Sequence, residues 1–168
     1  SIPPTNTSFY ESIKLIGEGS FGRVYLALQK STNRLVALKR LEKTSFQNET
    51  TRRKILTELE IQKALFGHCN IAKLLEVFET KDFVYFVMEY ASNGDLRRWL
   101  ESRKKFKEED GRYAFFQIAS GVRYIHSHGF IHRDIKLDNI LIDEHMHYKI
   151  CDFGVGRSIS PNELVLEQ

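Results

Sequence analysis

Gly17-Glu18-Gly19-Ser20-Phe21-Gly22-Arg23-Val24 sets three glycines in a GxGxxG pattern and runs directly into the apolar stretch Val24-Tyr25-Leu26-Ala27-Leu28. Glycine lets backbone amides approach an anion's oxygens with no Cβ in the way, so the pattern fits a loop over phosphate. The residues just after the loop decide the fold. A dinucleotide-binding fold needs a helix immediately after the third glycine, whereas residues 23–28 have strand character. The loop is therefore expected to join two strands as a hairpin lid over a nucleotide, although the glycines alone fit a plain flexible turn equally well.

Working outward, Tyr10, Ile13 and Leu15 precede the loop, and Lys30-Ser31-Thr32-Asn33 separates its second strand from Leu35-Val36-Ala37-Leu38. This predicts a three-stranded antiparallel meander over residues 9–41. Residues 51–66 place Ile55, Leu59 and Ala64-Leu65 among charges, as one amphipathic helix would. Two more strands are expected at 71–80 and 83–88, turning at Lys81-Asp82. After Asn93-Gly94 the pattern becomes helical, first over 95–103 and then over 108–127, where Phe115, Ile118, Val122 and Ile125 form a stripe. Two short β-like runs, Ile140-Leu141-Ile142 and Tyr148-Lys149-Ile150, flank Asp143-Glu144. The expected class is α+β: a tail over 1–8, a β-rich lobe with one main helix over 9–90, and a helical lobe over 91–168.

Composition excludes several classes. With 42% apolar and 28% charged residues in 168, the chain suits an ordinary globular fold. Lys and Arg number 25 against 22 Asp and Glu, and the clusters Arg52-Arg53-Lys54 and Arg103-Lys104-Lys105 are short, so no nucleic-acid partner is expected. Cys69 and Cys151 stand far apart without a CxxC, which points to a reducing compartment and away from a zinc site. The pairs His126-x-His128 and His145-x-His147 lack partners at metal-finger spacing. No apolar run approaches the ~18 residues of a membrane span, and no signal peptide is evident, so a soluble, cytoplasmic or nuclear protein with no membrane partner is expected.

Chemistry concentrates in three further motifs. Val36-Ala37-Leu38-Lys39 ends an apolar strand in a lysine, and an inward-facing ammonium needs a phosphate and a carboxylate. Glu58 and Glu60 on the 51–66 helix both qualify as that carboxylate. His132-Arg133-Asp134-Ile135-Lys136-Leu137-Asp138-Asn139 brings a carboxylate, a lysine and an amide together, and Asp152-Phe153-Gly154 comes thirteen residues after Asn139. An acid and an amide converging from two loops suit a hard cation such as Mg2+ that also bridges to phosphate.

In this order the four motifs resemble those of serine/threonine protein kinases: GxGxxGxV at 17–24, the VAIK-type strand at 36–39, HRDxxxxN at 132–139 and DFG at 152–154. The resemblance implies ATP- and Mg2+-dependent phosphoryl transfer to Ser and Thr hydroxyls of a protein substrate. It assigns Asp134 to the substrate hydroxyl, Lys136 to the transferring phosphate, Lys39 and Glu58 to an ion pair, and Asn139 and Asp152 to the metal. Ile16, Gly17, Gly19, Ser20, Phe21, Gly22, Val24, Ala37, Lys39, Met88, Glu89, Ala91, Asp95 and Leu141 would surround the nucleotide, with Met88 as gatekeeper. Counting back from Gly67-His68-Cys69-Asn70-Ile71 favours Glu58 over Glu60 and puts Gln62 where the family packs an apolar residue against Leu74, Phe153 and His132.

The family's domain extends well beyond DFG, so the sequence reads as a C-terminally truncated kinase domain. This predicts little transfer activity from the chain by itself and self-association through Phe115, Ile118 and Val122. The alternative is a non-catalytic nucleotide-binding or scaffold fragment.

Overall fold

The computed structural model describes residues 9–19, 22–103, 107–154 and 157–158. Packing divides the chain into two compact units: residues up to Ile55 with Leu74–Tyr90, and Leu56–Lys73 with residues from Ala91 onward.

The first unit is a five-stranded antiparallel sheet in the order β1-β2-β3-β5-β4. Its strands are β1 (Tyr10–Gly19), β2 (Gly22–Gln29), β3 (Arg34–Glu42), β4 (Leu74–Glu79) and β5 (Phe83–Glu89). The expected meander and hairpin are both present. Side chains alternate between the two faces of such a sheet. One face carries Tyr25, Ala27, Val36, Leu38, Tyr85 and Val87, which form a core with Tyr10. Phe78 stacks on Tyr10 at 5.5 Å and on Tyr85 at 4.8 Å. The Arg40 guanidinium lies 5.2 Å from the Tyr25 ring centre and 4.5 Å from that of Phe83, so a buried cation is held by aromatic faces.

Helix α1 (Glu49–Ala64) begins where Asn48 Oδ1 accepts the Thr51 N–H at 3.0 Å, an N-cap that satisfies an otherwise orphaned donor. Its later turns belong to the second unit, whose core takes in Ile61 and, just past the helix, Leu65.

The second unit contains α2 (Leu96–Ser102), α3 (Glu108–Ser127) and short strands β6 (Phe130–Ile131), β7 (Ile140–Ile142), β8 (Tyr148–Ile150) and β9 (Arg157–Ser158). β7 pairs with β8, and β6 with β9, both antiparallel. Asp95 caps α2 by accepting the Arg98 N–H at 2.9 Å. The core gathers Ile61, Leu65, Ile71, Leu96, Ile125, Ile140, Ile142, Tyr148, Ile150 and Phe153. On α3 the buried face runs through Ala114, Gly121 and Ile125, with Ile118 and Val122 partly covered, while Phe115 is 67% exposed. Phe115 therefore lies off the buried stripe to which its spacing assigns it. Gly121 explains the close packing of α3: a Cβ there would come within 2.8 Å of Ile150 Cδ1 and 2.9 Å of Asn70 O. Among the described residues no helix is long and apolar enough to cross a membrane.

Candidate active site

The residues of 132–139 form one hydrogen-bonded loop in the second unit. His132 is 3% exposed, and its ring works from both sides. Nε2 lies 2.8 Å from Cys151 O, and Nδ1 accepts the Asp134 N–H at 3.1 Å. Accepting at Nδ1 and donating at Nε2 requires the neutral tautomer. Burial, outweighing the Cys151 carbonyl and the nearby aspartates, lowers the His132 pKa and favours that neutral form. The ring also meets Phe153 edge-on at 5.0 Å, and Phe153 is fully buried. His132 thus links the loop that carries Asp134 to the segment that carries Asp152.

Asn139 is 6% exposed and donates from Nδ2 to Asp134 O at 2.9 Å and to Asp134 Oδ2 at 3.1 Å. Lys136 Nζ stands 3.4 Å from the same Oδ2. Both contacts fall on Oδ2 of a partly exposed carboxylate, and among the described residues no side chain bonds its Oδ1. Among the described residues the Asn139 amide oxygen has no hydrogen-bond partner either. Asp152 is solvent-exposed, and its Oδ1 accepts the Gly154 N–H at 3.3 Å. Asp152 and Arg133 both adopt left-handed backbone conformations, with φ of 60° and 67°. An amide oxygen and a carboxylate suit Mg2+, which takes oxygen ligands and completes its shell with water and phosphate.

Asp138 is bound by Arg97 of α2 at 2.7 Å, and this hydrogen bond holds its carboxyl below the usual range. Asp95 and Leu141, expected near ribose and adenine, form an isolated antiparallel bridge. Ala91 is 8% exposed.

In the first unit the strand register gathers several expected nucleotide residues on one face. Val24 pairs with Lys39, Leu26 with Ala37, Ala37 with Met88 and Lys39 with Phe86. Directly paired residues share a face, so Val24, Ala37, Lys39 and Met88 lie opposite the aromatic core. Glu89 pairs with Val36 at the end of β5, and Ile16 and Gly17 lie near the end of β1. Ser20 and Phe21 lie outside the described residues, while Gly19 pairs with Gly22 across the hairpin. Gly22 has a steric reason to be glycine: a Cβ there would come within 2.2 Å of Arg40 O. On α1, Glu58 is 2% exposed and Glu60 is exposed, as about 100° per residue demands of positions two apart. Gln62, one turn after Glu58, is also buried.

Sequence reasoning missed Asn70 and Gln117. Asn70 is 4% exposed and donates to Gln117 Oε1 at 2.8 Å and to Tyr148 O at 2.9 Å. Gln117 lies off the stripe of Phe115, Ile118, Val122 and Ile125, and no motif marks it.

The strand face that carries Val24, Ala37, Lys39 and Met88 and the loop built around Asp134 hold the residues of the four sequence motifs. Residues 10–167 match the protein kinase domain family, and the chain belongs to that family. It is 39% identical over 160 residues to serine/threonine-protein kinase SIK1 of Mus musculus, a match covering 95% of this chain and 20% of the relative. It is 40% identical over 147 residues to NUAK family SNF1-like kinase 1 of Homo sapiens, covering 88% of this chain and 22% of the relative. The chain spans 20–22% of the length of these relatives.

Proposed function

We propose that the protein transfers the γ-phosphoryl group of ATP to Ser or Thr hydroxyls of protein substrates. The observation that carries this reading is the loop geometry around Asp134, with Asn139 and Lys136 on one carboxylate oxygen at 3.1 and 3.4 Å. Support also comes from two relatives whose names contain "kinase", one of them a serine/threonine-protein kinase.

In this reading Asp134 Oδ1 accepts the hydrogen bond of the incoming hydroxyl and aligns it for in-line attack. Lys136, beside the same carboxylate, offers its ammonium to the transferring phosphate. Asn139 and Asp152 hold Mg2+, which when bound neutralises phosphate charge. Lys39, with Glu58 as its counter-charge, and the backbone of 17–22 hold the phosphates. Val24, Ala37, Met88 and Leu141 contact adenine, the backbone of Glu89 and Ala91 hydrogen-bonds it, and Asp95 takes the ribose. In this reading residues 9–90 make up an N-lobe and residues from 91 onward belong to a C-lobe. A reducing compartment, cytoplasmic or nuclear, fits the two free cysteines and an ATP substrate.

Two measurements test this. Asp134→Asn is expected to reduce phosphoryl transfer by the protein to a Ser/Thr peptide library by about a hundredfold or more. A Lys39→Ala, Asp152→Asn double variant is expected to bind an ATP analogue with Mg2+ at least tenfold more weakly than wild type. Equal binding by a folded double variant overturns the reading.

A further inference from the structure

β8 has three residues and, among the described residues, one partner strand, so it offers little intrinsic resistance to slipping. Its main-chain groups account for how it is nevertheless held. Antiparallel pairing with β7 engages alternate residues, and just past the strand the Cys151 N–H donates to Asn139 O at 2.9 Å. The groups of Tyr148 and Ile150 point the other way. On that side Tyr148 N–H donates to Gln117 Oε1 at 2.9 Å, and Tyr148 O accepts Asn70 Nδ2 at 2.9 Å. Ile150 N–H donates to Asn70 O, and Ile150 O accepts the Ala72 N–H, both at 2.9 Å. Two side-chain amides and one loop thus take the place of a neighbouring strand.

Gln117 joins these parts. Its Oε1 also accepts Asn70 Nδ2 at 2.8 Å, and its Nε2 donates to Met146 O at 3.1 Å, in the turn that leads into β8. One α3 side chain therefore fixes the start of β8 and the loop beside it. Only Cys151 separates the end of β8 from Asp152, whose backbone is left-handed. A slip or tilt of β8 would move Asp152 against Asn139, the other oxygen donor proposed for Mg2+. That ion demands near-ideal octahedral geometry at short range, so the spacing of the two donors matters at the sub-ångström level.

We propose that Gln117 is a positioning residue for Asp152: by completing the outer edge of β8 it sets the spacing of the two metal donors. This rests on Asp152 and Asn139 being the Mg2+ ligands. The test measures how far MgCl2 raises the affinity of the full chain for a fluorescent trinitrophenyl ATP analogue, as the ratio of Kd without and with the metal. An unfolded fraction lowers the signal in both arms alike and leaves that ratio unchanged. Gln117→Met, which keeps the shape and loses the amide, is expected to cut the ratio at least tenfold with little change in metal-free Kd. Gln117→Glu keeps the acceptor for Tyr148 N–H and is expected to recover most of the ratio. Amide exchange over 148–152 should rise at least tenfold in Gln117→Met and stay unchanged over 24–41. Should Gln117→Met fail to fold, Asn70→Asp removes the donor to Gln117 and Tyr148 and carries the same expectation. A ratio within twofold of wild type in a variant with lowered Tm overturns the inference and leaves Gln117 a merely structural residue. A wild type whose affinity ignores MgCl2 overturns the metal-site reading itself, and this inference with it.

Discussion

The two units keep their β-structure together by different means. In the first, five strands of 6 to 10 residues satisfy one another, and an aromatic layer covers one face. In the second, strands of two or three residues and the loops beside them depend on side-chain hydrogen bonds: His132 to Cys151 O, Asn139 to Asp134, Gln117 and Asn70 to Tyr148. A long ladder spreads its stability over many equivalent bonds, whereas a short pair held by amides concentrates it in a few residues. The first unit should therefore yield mainly to steric insult of its backbone. The second should yield to the loss of single polar groups or to a change in their protonation.

The largest effect that would break this contrast is expected at Gly22. Adding a methyl group there drives a Cβ into a β3 carbonyl at 2.2 Å, and Gly22→Ala should cost about 3 kcal/mol, as severe overpacking does. Trp99, the single tryptophan, lies in the second unit, so its fluorescence tracked beside far-UV circular dichroism during denaturation can assign the loss. A change of the Trp99 transition equal to that of the dichroism would show that the units unfold as one.

Gly121→Ala should cost less, about 1–2 kcal/mol. The gain in helix propensity, about 1 kcal/mol, offsets part of the collision with Ile150 and Asn70. Here the Trp99 transition should move first. A neutral or stabilising result would mean that α3 can retreat from β8 without harm.

Tyr10→Phe should cost about 1 kcal/mol by removing the hydrogen bond from the phenol to Glu76, which links β1 to β4. Burial, with Glu76 adding to it, pushes the Tyr10 pKa up to about 12. A double-mutant cycle with Glu76→Gln that gave purely additive losses would show that the two groups do not act as a pair.

Mild acid should separate the units most gently. All six histidines lie in the second unit, and burial lowers the pKa of both His132 and His68. Below their ordinary value of 6.5 the unfolded chain takes up protons that the native rings resist, so stability falls with pH. Above 6.5 this contribution is fully present, and once pH drops through the lowered native values the loss levels off. A His132→Gln variant whose stability still fell with wild-type slope just below pH 6.5 would remove His132 from this account.

The parts legible in sequence are those with a period or a motif. Residues 108–127 form α3 as the apolar spacing predicts, and the β-like runs Ile140–Ile142 and Tyr148–Ile150 are strands. The two-residue strands β6 and β9 escape such reading, because so short a pair leaves no pattern. Phe115 is apolar at a spacing that matches the buried stripe, yet Ala114 and Gly121 take the buried face, their small size letting α3 approach β8. Candidate site residues are visible as motifs, but their supports are not. Nothing in a one-dimensional pattern reveals that Gln117 reaches Tyr148, since the contact joins positions 31 apart. The role of Gly22 is only half legible: the close approach its motif suggests is to phosphate, and the one observed is to Arg40.

The left-handed backbone at Asp152 bears on how its carboxylate can be deleted cleanly. Aspartate and asparagine visit that conformation more readily than other residues with a Cβ, because their short polar side chains bond locally. Alanine at 152 would remove a charge and also push the main chain toward another basin, so its phenotype would mix lost chemistry with a displaced segment. Asparagine changes the charge and little else, and glycine changes the side chain while freeing the backbone. The three substitutions form a graded series: a defect equal in asparagine and glycine measures the carboxylate, and any excess in alanine measures the geometry.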